Sequence, residues 1–442
     1  MSSVAEDRRV AIVNELTLNR GAKIGDLSRH FSVSEVSVRK DRRMPTSQAV
    51  KLAVVGGHRG DAFKGALSAF GERVQLTAVC DLSEEVRATW KDAYPWIQTF
   101  ASYSDMLERA DCTAVFIATP MLLHARQAIR ALLAGKHVVS EVIAATTLDE
   151  CWQLVETVQK TGRVYMLAEN YCYMRPNMMV LNMAQRGVFG DITYAEGAYI
   201  HDCRYLIFDA KGETTWRTQL RRQFDGNTYP THSLGPVAQW LGVNREGGDR
   251  LVSTSTWTST GRAAQRYVAE TVGPDHPAAQ DAFWKLGDSA TTVIRTARNA
   301  VIVLRVDWAS ARPHNMTHYV LQGDRAAYLS ARHEREDPLV WIDCRSPGKS
   351  PGDAAWEPLW EYSTDYEHPR WRQWRAQAEK AGHGGGDFFV LEDFIDAIQK
   401  GTRPAIDVYD AVTWSSIMPL SMESVAQGNA PMAIPDFAHQ RV

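Results

Sequence analysis

The sequence predicts an α/β protein in which a doubly wound parallel sheet is followed by an α+β domain with an open, mostly antiparallel sheet. Two observations carry this. Between Lys51 and Ala145 short β-rich runs alternate with helical ones, and strand, helix and strand in succession imply parallel pairing through crossover helices. Beyond that block, period-two alternation runs through "LVSTSTWTST" and "ATTVIRTARNAVIVLRVDW", which points to half-buried antiparallel strands. The chain's 442 residues exceed one ordinary domain. Three segments are expected: a helical extension and linker over 1–48, the parallel-sheet domain over 49–170, and the α+β domain over 171–442, whose last helix packs back.

Apolar residues make up 45%, charged residues 23%, and the formal net charge is −3. Nothing in these totals calls for nucleic acid or membrane over the whole surface. Six cysteines (Cys80, Cys112, Cys151, Cys172, Cys203, Cys344) occur without a CxxC pair or a Cys/His spacing for zinc, and the N-terminus is charged where a signal peptide needs an apolar run. No apolar run approaches the roughly 18 residues of a membrane span. A cytoplasmic protein without a structural metal is the expectation.

The first segment has helical periodicity from Arg8 to Arg43, with Ile12, Val13 and Leu16, then Ile24 and Leu27, then Val33, Val36 and Val38. Ser34 opens a second helix and Arg39, Lys40, Arg42 and Arg43 follow it. This resembles the helix-turn-helix at the start of DeoR-type regulators, but "MPTSQ" follows at once and leaves no room for a wing. A packing or assembly element is preferred over DNA binding.

In the second segment the strand "KLAVVGG" runs into "GGHRGDAF". Glycine there lets backbone N–H groups approach a pyrophosphate at a helix start. In a G-x-G-x-x-G frame the second and third glycines are Gly57 and Gly60, with Arg59 between them; Val55 holds the first position and Gly56 comes one place late. Asp81 ends the second strand about twenty residues on, where an acid accepts hydrogen bonds from a ribose diol and repels a 2'-phosphate. This favours NAD over NADP and a Rossmann domain. Further on, "FIATPMLLHARQA" supplies Thr119, Pro120 and His124, and "GKHVVSE" ends in Glu141. The grouping resembles the Gfo/Idh/MocA family of sugar oxidoreductases, whose corresponding loops frame the nicotinamide. In ordinary members a lysine follows the glutamate; here Val142 stands in its place.

The third segment opens with helical patterns over Leu148 to Lys160 and Met178 to Arg186. Its clusters "CYMR", "GVFGD", "GAYIHD", "WRT", "YPTH" and "LGPVAQW", with "GHGGGDFFVL" later, resemble the NAD-dependent glycosidases of glycoside hydrolase family 109, α-N-acetylgalactosaminidases of the same superfamily. Members of that branch also carry valine after the glutamate. The resemblance implies transient oxidation of a sugar at carbon 3, elimination of the aglycone, water addition and re-reduction, without the carboxylate pair of most glycosidases. It makes Tyr173 and His232 the candidates for proton transfer. Tyr199, Arg217 and Tyr229 would hold the sugar, with Asn170 and Glu141 on the nicotinamide side.

Two departures bear on substrate. Arg221 and Arg222 are adjacent in "QLRRQFDGN", and "ARPH" puts His314 where a tyrosine is expected. The arginines either grip an anion, as a sulfoquinovoside related to the substrates of NAD-dependent sulfoquinovosidases would require, or belong to a solvated loop. Two other functions stay open: an NAD-dependent sugar dehydrogenase in which His232 replaces the lysine, and a sugar-responsive DNA-binding regulator. The open sheet predicts a homo-oligomer, a dimer or tetramer.

Overall fold

A computed structural model describes residues 49–313, 315–333, 335–348 and 352–438. The helix-turn-helix-like segment and His314 lie outside the described residues. The described residues from Val50 onward form one compact unit.

The first sheet contains β1 (Val50–Val55), β2 (Val74–Cys80), β3 (Gln98–Phe100), β4 (Ala114–Ile117), β5 (His137–Ser140) and β6 (Tyr165–Leu167), in the order β3-β2-β1-β4-β5-β6. All its pairings are parallel. β4 is buried throughout and β1 nearly so, because helices cover both faces, which explains why these strands read as continuous apolar runs. Their helices start where the sequence supplies caps: Ser83 Oγ accepts from Val86 N before Glu84–Ala93, and Thr147 Oγ1 from Glu150 N before Leu148–Thr161. The strand order reverses between β1 and β4, opening a crevice at their carboxyl ends.

The second sheet has nine strands: β7 (Ile192–Ile200), β8 (Leu251–Thr258), β9 (Ser289–Thr296), β10 (Val301–Asp307), β11 (Asn315–Gly323), β12 (Ala326–Leu329), β13 (Leu339–Ile342), β14 (Glu357–Pro358) and β15 (Met432–Ala433). Their order is β14-β13-β12-β11-β7-β10-β9-β8-β15. It is antiparallel except for the β7–β10 pair. The helix Thr231–Trp240 lies on the inner face so closely that a Cβ on Gly197 would meet the Ser233 carbonyl oxygen at 1.9 Å. "GAYI" therefore needs its glycine. The late helix Gly386–Lys400 returns to the first sheet, where Phe388 stacks on Phe70 at 5.1 Å and Asp396 pairs with Arg73.

Candidate active site

The crevice beyond β1 and β4 is built around three glycines. Gly56 is left-handed (φ 87°), and a Cβ on it would strike the Ala118 carbonyl oxygen at 2.4 Å. On Gly57 a Cβ would meet Val86 at 2.8 Å and Trp90 at 2.9 Å, and on Gly60 it would meet Val54 at 2.5 Å. The tight turn that the frame assigned to Val55 is thus made by Gly56 one place later. Asp81 ends β2 beside this turn: its Oδ2 accepts from His58 N at 3.4 Å and its Oδ1 from Ser83 N at 2.9 Å. A cradle that side chains would fill, with an acid at the ribose distance, fits NAD.

Glu141 follows β5 and is buried; its Oε1 accepts from Arg59 Nε at 2.7 Å. Val142 beside it is buried as well. His124 is tied to backbone, with Nδ1 2.8 Å from the Ile143 carbonyl and Nε2 2.7 Å from that of Thr119, and burial lowers its pKa. It joins the loops after β4 and β5. Thr119 Oγ1 donates to Gln127, and Pro120 opens the turn Met121–Leu123.

Deeper in, His232 stands in the first turn of the helix Thr231–Trp240 and donates from Nδ1 to Glu169 Oε1 at 2.6 Å. Glu169 is fully buried, and its Oε1 also accepts from Tyr171 N. Gly235 makes room for it, since a Cβ there would meet Glu169 Cγ at 2.9 Å. The carboxylate fixes the tautomer and leaves Nε2 as the nitrogen available for a proton. Tyr171 stacks on the His232 ring with centroids 4.0 Å apart and planes 10° apart. Tyr199 and Tyr229 each stand 5.1 Å from that ring.

A second histidine–carboxylate pair lies across Tyr171. His383 Nδ1 donates to Asp387 Oδ2 at 2.9 Å, and Asn170 Nδ2 donates to Asp387 Oδ1 at 2.8 Å. The His383 ring is 6.3 Å from that of Tyr171. The glycines of "GHGGGD" allow this: a Cβ on Gly382 would meet Asp387 Oδ2 at 2.4 Å, and one on Gly386 the Asn170 carbonyl oxygen at 2.3 Å.

Tyr173 does not join this cluster. Its hydroxyl donates to Asp393 at 2.7 Å and its ring lies under Arg370. The turn Asn170–Tyr173 is a 3₁₀ turn, which advances about 120° per residue, so residues two apart cannot share a direction. Tyr171 occupies the place by His232 that the sequence assigned to Tyr173. Sequence reasoning also missed Glu169, His383 and Asp387. The His-x-x-x-Asp spacing inside a glycine run was the available signal for the last two.

The phenols of Tyr171, Tyr199 and Tyr229 all have raised pKa values, burial being the main cause. They are hydrogen-bond donors at rest. Arg59 opposes this at Tyr171 and Tyr229, and Arg217 at Tyr199 and Tyr229.

Arg221 and Arg222 do not act as a pair. Neighbours on the helix Trp216–Gln223 point about 100° apart. Arg221 is buried over the Trp308 ring, whereas Arg222 is exposed over Phe283. Arg221 instead shares a face with Arg217, one turn earlier.

Residues 50–169 match the family model "Oxidoreductase family, NAD-binding Rossmann fold", and residues 173–442 match "Glycosyl hydrolase 109, C-terminal domain". A glycosyl hydrolase family 109 protein of Solibacter usitatus (strain Ellin6076) is 38% identical over 402 residues, covering 88% of each chain. One from Stenotrophomonas maltophilia (strain K279a) is 34% identical over 445 residues, covering 92% of this chain and 95% of its own. Among solved structures, levoglucosan dehydrogenase in complex with NADH superposes with TM-score 0.71 at 20% identity, over 88% of this chain and all of its own. The apo scyllo-inositol dehydrogenase of Lactobacillus casei reaches 0.63 at 14%, over 88% of this chain and 99% of its own. These two show the fold alone.

Proposed function

This chain belongs to glycosyl hydrolase family 109 and is an NAD-dependent glycosidase, and from that premise we propose that it cleaves an α-glycoside by transient oxidation of the sugar. Gly56, Gly57, Gly60 and Asp81 would hold NAD, which would supply a hydride acceptor and donor, so that a ketone at carbon 3 would acidify carbon 2, the aglycone would leave, water would add and the alcohol would be restored.

The residues of the chain divide the proton work. His232, oriented by Glu169, is the base for the hydrogen at carbon 2, and such a group contributes roughly 10²- to 10⁴-fold. Tyr171, held neutral by burial, donates to a sugar oxygen. Tyr199, Tyr229 and Arg217 hold the ring, while Glu141, Arg59 and Asn170 border the nicotinamide side. The single observation that carries this reading is the His232–Glu169 pair at 2.6 Å beneath a stacked tyrosine. His124, Thr119 and Pro120 shape the loops at the mouth of the glycine cradle.

The family resemblance supports an α-N-acetylgalactosaminide as substrate, and the cationic helix Trp216–Gln223 supports an anionic sugar such as a sulfoquinovoside. Five of the six cysteines are buried and all are free, which supports a reducing cytoplasm. The outward face of the second sheet supports a dimer or tetramer. No helix among the described residues is long and apolar enough to cross a membrane.

The test is to incubate the protein with NAD and chromogenic α-glycosides, following aglycone and NADH together. Aglycone release without net NADH is the expected result. NADH accumulating without aglycone would show a dehydrogenase instead.

A further inference from the structure

We propose that Arg217 and Arg221 form an anion-binding subsite, so that the glycoside taken by this chain carries a carboxylate or sulfonate. The inference rests on the glycosidase reading for the word glycoside, but not for the anion.

The two residues are four apart on the helix Trp216–Gln223 and present their guanidinium groups on one face. Arg221 is only 6% exposed, lies with its guanidinium carbon 3.4 Å from the centre of the Trp308 ring, and keeps a buried Nη1 that bonds no described residue. Arg217 forms no ion pair with a described carboxylate, and its own stacking partner is Trp216 at 4.5 Å. Elsewhere half-buried arginines meet carboxylates, as Arg59, Arg73, Arg175 and Arg370 do.

Two cations on one face without a described counter-ion are costly, because burial and like charge both disfavour the charged forms. Burial above all, with Arg217 adding to it, holds the pKa of Arg221 down to about 9. At neutral pH it is still a cation. An anion between the two would relieve the repulsion and satisfy the orphaned Nη1, with charge-assisted bonds of the kind guanidinium groups make to planar or tetrahedral oxyanions. Its place in the site follows from the tyrosines. Arg217 acts on the hydroxyls of both Tyr199 and Tyr229, and Arg221 is electrostatically linked to Tyr199. Those rings border His232, so the anion lies beside the proposed proton-transfer histidine.

The test measures binding, by calorimetry on the full-length chain loaded with NAD, of methyl α-glucoside, methyl α-glucuronide, methyl α-sulfoquinovoside and methyl α-N-acetylgalactosaminide. At least one of the two anionic sugars is expected to bind ten-fold or more tightly than the neutral ones, with the better of them identifying carboxylate or sulfonate. Arg221→Met should erase that advantage while leaving the neutral sugars unchanged, and raised salt should weaken only anionic binding. Should Arg221→Met not fold, Arg221→Gln, which keeps a polar side chain over the Trp308 ring but not the charge, should give the same loss. Tightest binding of the N-acetyl sugar, or arginine variants that weaken all four alike, overturns the subsite. Tight anionic binding with no aglycone released would leave the subsite standing and sink the glycosidase cycle instead.

Discussion

At the scale of single residues, the site is a tyrosine between two histidine–carboxylate pairs, and each member can be separated by its chemistry. If His232 is the base proposed above, His232→Asn should lower turnover about 10²- to 10⁴-fold with NAD affinity unchanged, because His232 lies outside the glycine cradle. Glu169→Gln keeps the shape but removes the carboxylate that accepts from His232 Nδ1, so turnover should fall while NAD affinity stays unchanged. Rapid-mixing measurements of NADH formation in one turnover would detect the separate steps. Tyr171→Phe should cost turnover, whereas Tyr173→Phe should leave it within a few-fold and show its effect in stability, since its hydroxyl serves Asp393. Equal losses in both tyrosine variants would return Tyr173 to the site. The contrast also shows where sequence reading stops. "YPTH" and "GAYIHD" were legible because several polar residues cluster in short segments. Tyr171 and Tyr173 sit in one segment, and only the 120° step of the turn tells which faces His232.

At the scale of elements, close approach sets the tolerances. Gly197 and Gly235 let β7 and the helix Thr231–Trp240 carry His232 against Glu169. Gly197→Ala places a carbon 1.9 Å from backbone oxygen and should destabilise by about 1–3 kcal/mol or more, read from urea unfolding, with His232 displaced. The parallel strands were legible as apolar runs, and so was Asp81 at the end of one. The turn after β1 was not, because the frame counts spacing, while the backbone places its left-handed residue at Gly56. Histidines add a pH dependence at this scale. His137 Nδ1 accepts from Val164 N, linking β5 to the segment before β6, and His368 Nδ1 accepts from Arg370 N at the start of Pro369–Ala378. Burial lowers both pKa values to about 4, with Arg163 and Arg370 adding to it. A folded-state pKa below the usual 6.5 means that the unfolded chain binds the proton first. Stability from these contacts is therefore present above about pH 6.5 and lost as pH falls towards 4. Thermal midpoints should decline over that interval, and His368→Asn, which can cap without titrating, should flatten the decline.

At the scale of the whole molecule, the second sheet is asymmetric. Its inner face holds the helix Thr231–Trp240 and the site, while the pairing register lines up Val293, Val303, Glu196, Val320, Leu329 and Leu339 across β9, β10, β7, β11, β12 and β13 on the other. All six side chains are half-buried, and the row is apolar apart from Glu196. A continuous row of half-buried apolar side chains across six strands is the kind of surface that a monomer seldom leaves to water. A second copy is the partner that the same surface can cover by two-fold symmetry, because an isologous contact needs only self-complementarity. Sedimentation or small-angle scattering should therefore give a dimer or tetramer at micromolar concentration. Val303→Glu sets a second carboxylate directly opposite Glu196, where like charges are unfavourable, and buries both when copies meet. It should release monomers. Because Val303 points away from His232, those monomers should still bind NAD, which separates loss of assembly from loss of fold. A monomeric wild-type chain at that concentration would leave the apolar row without this explanation.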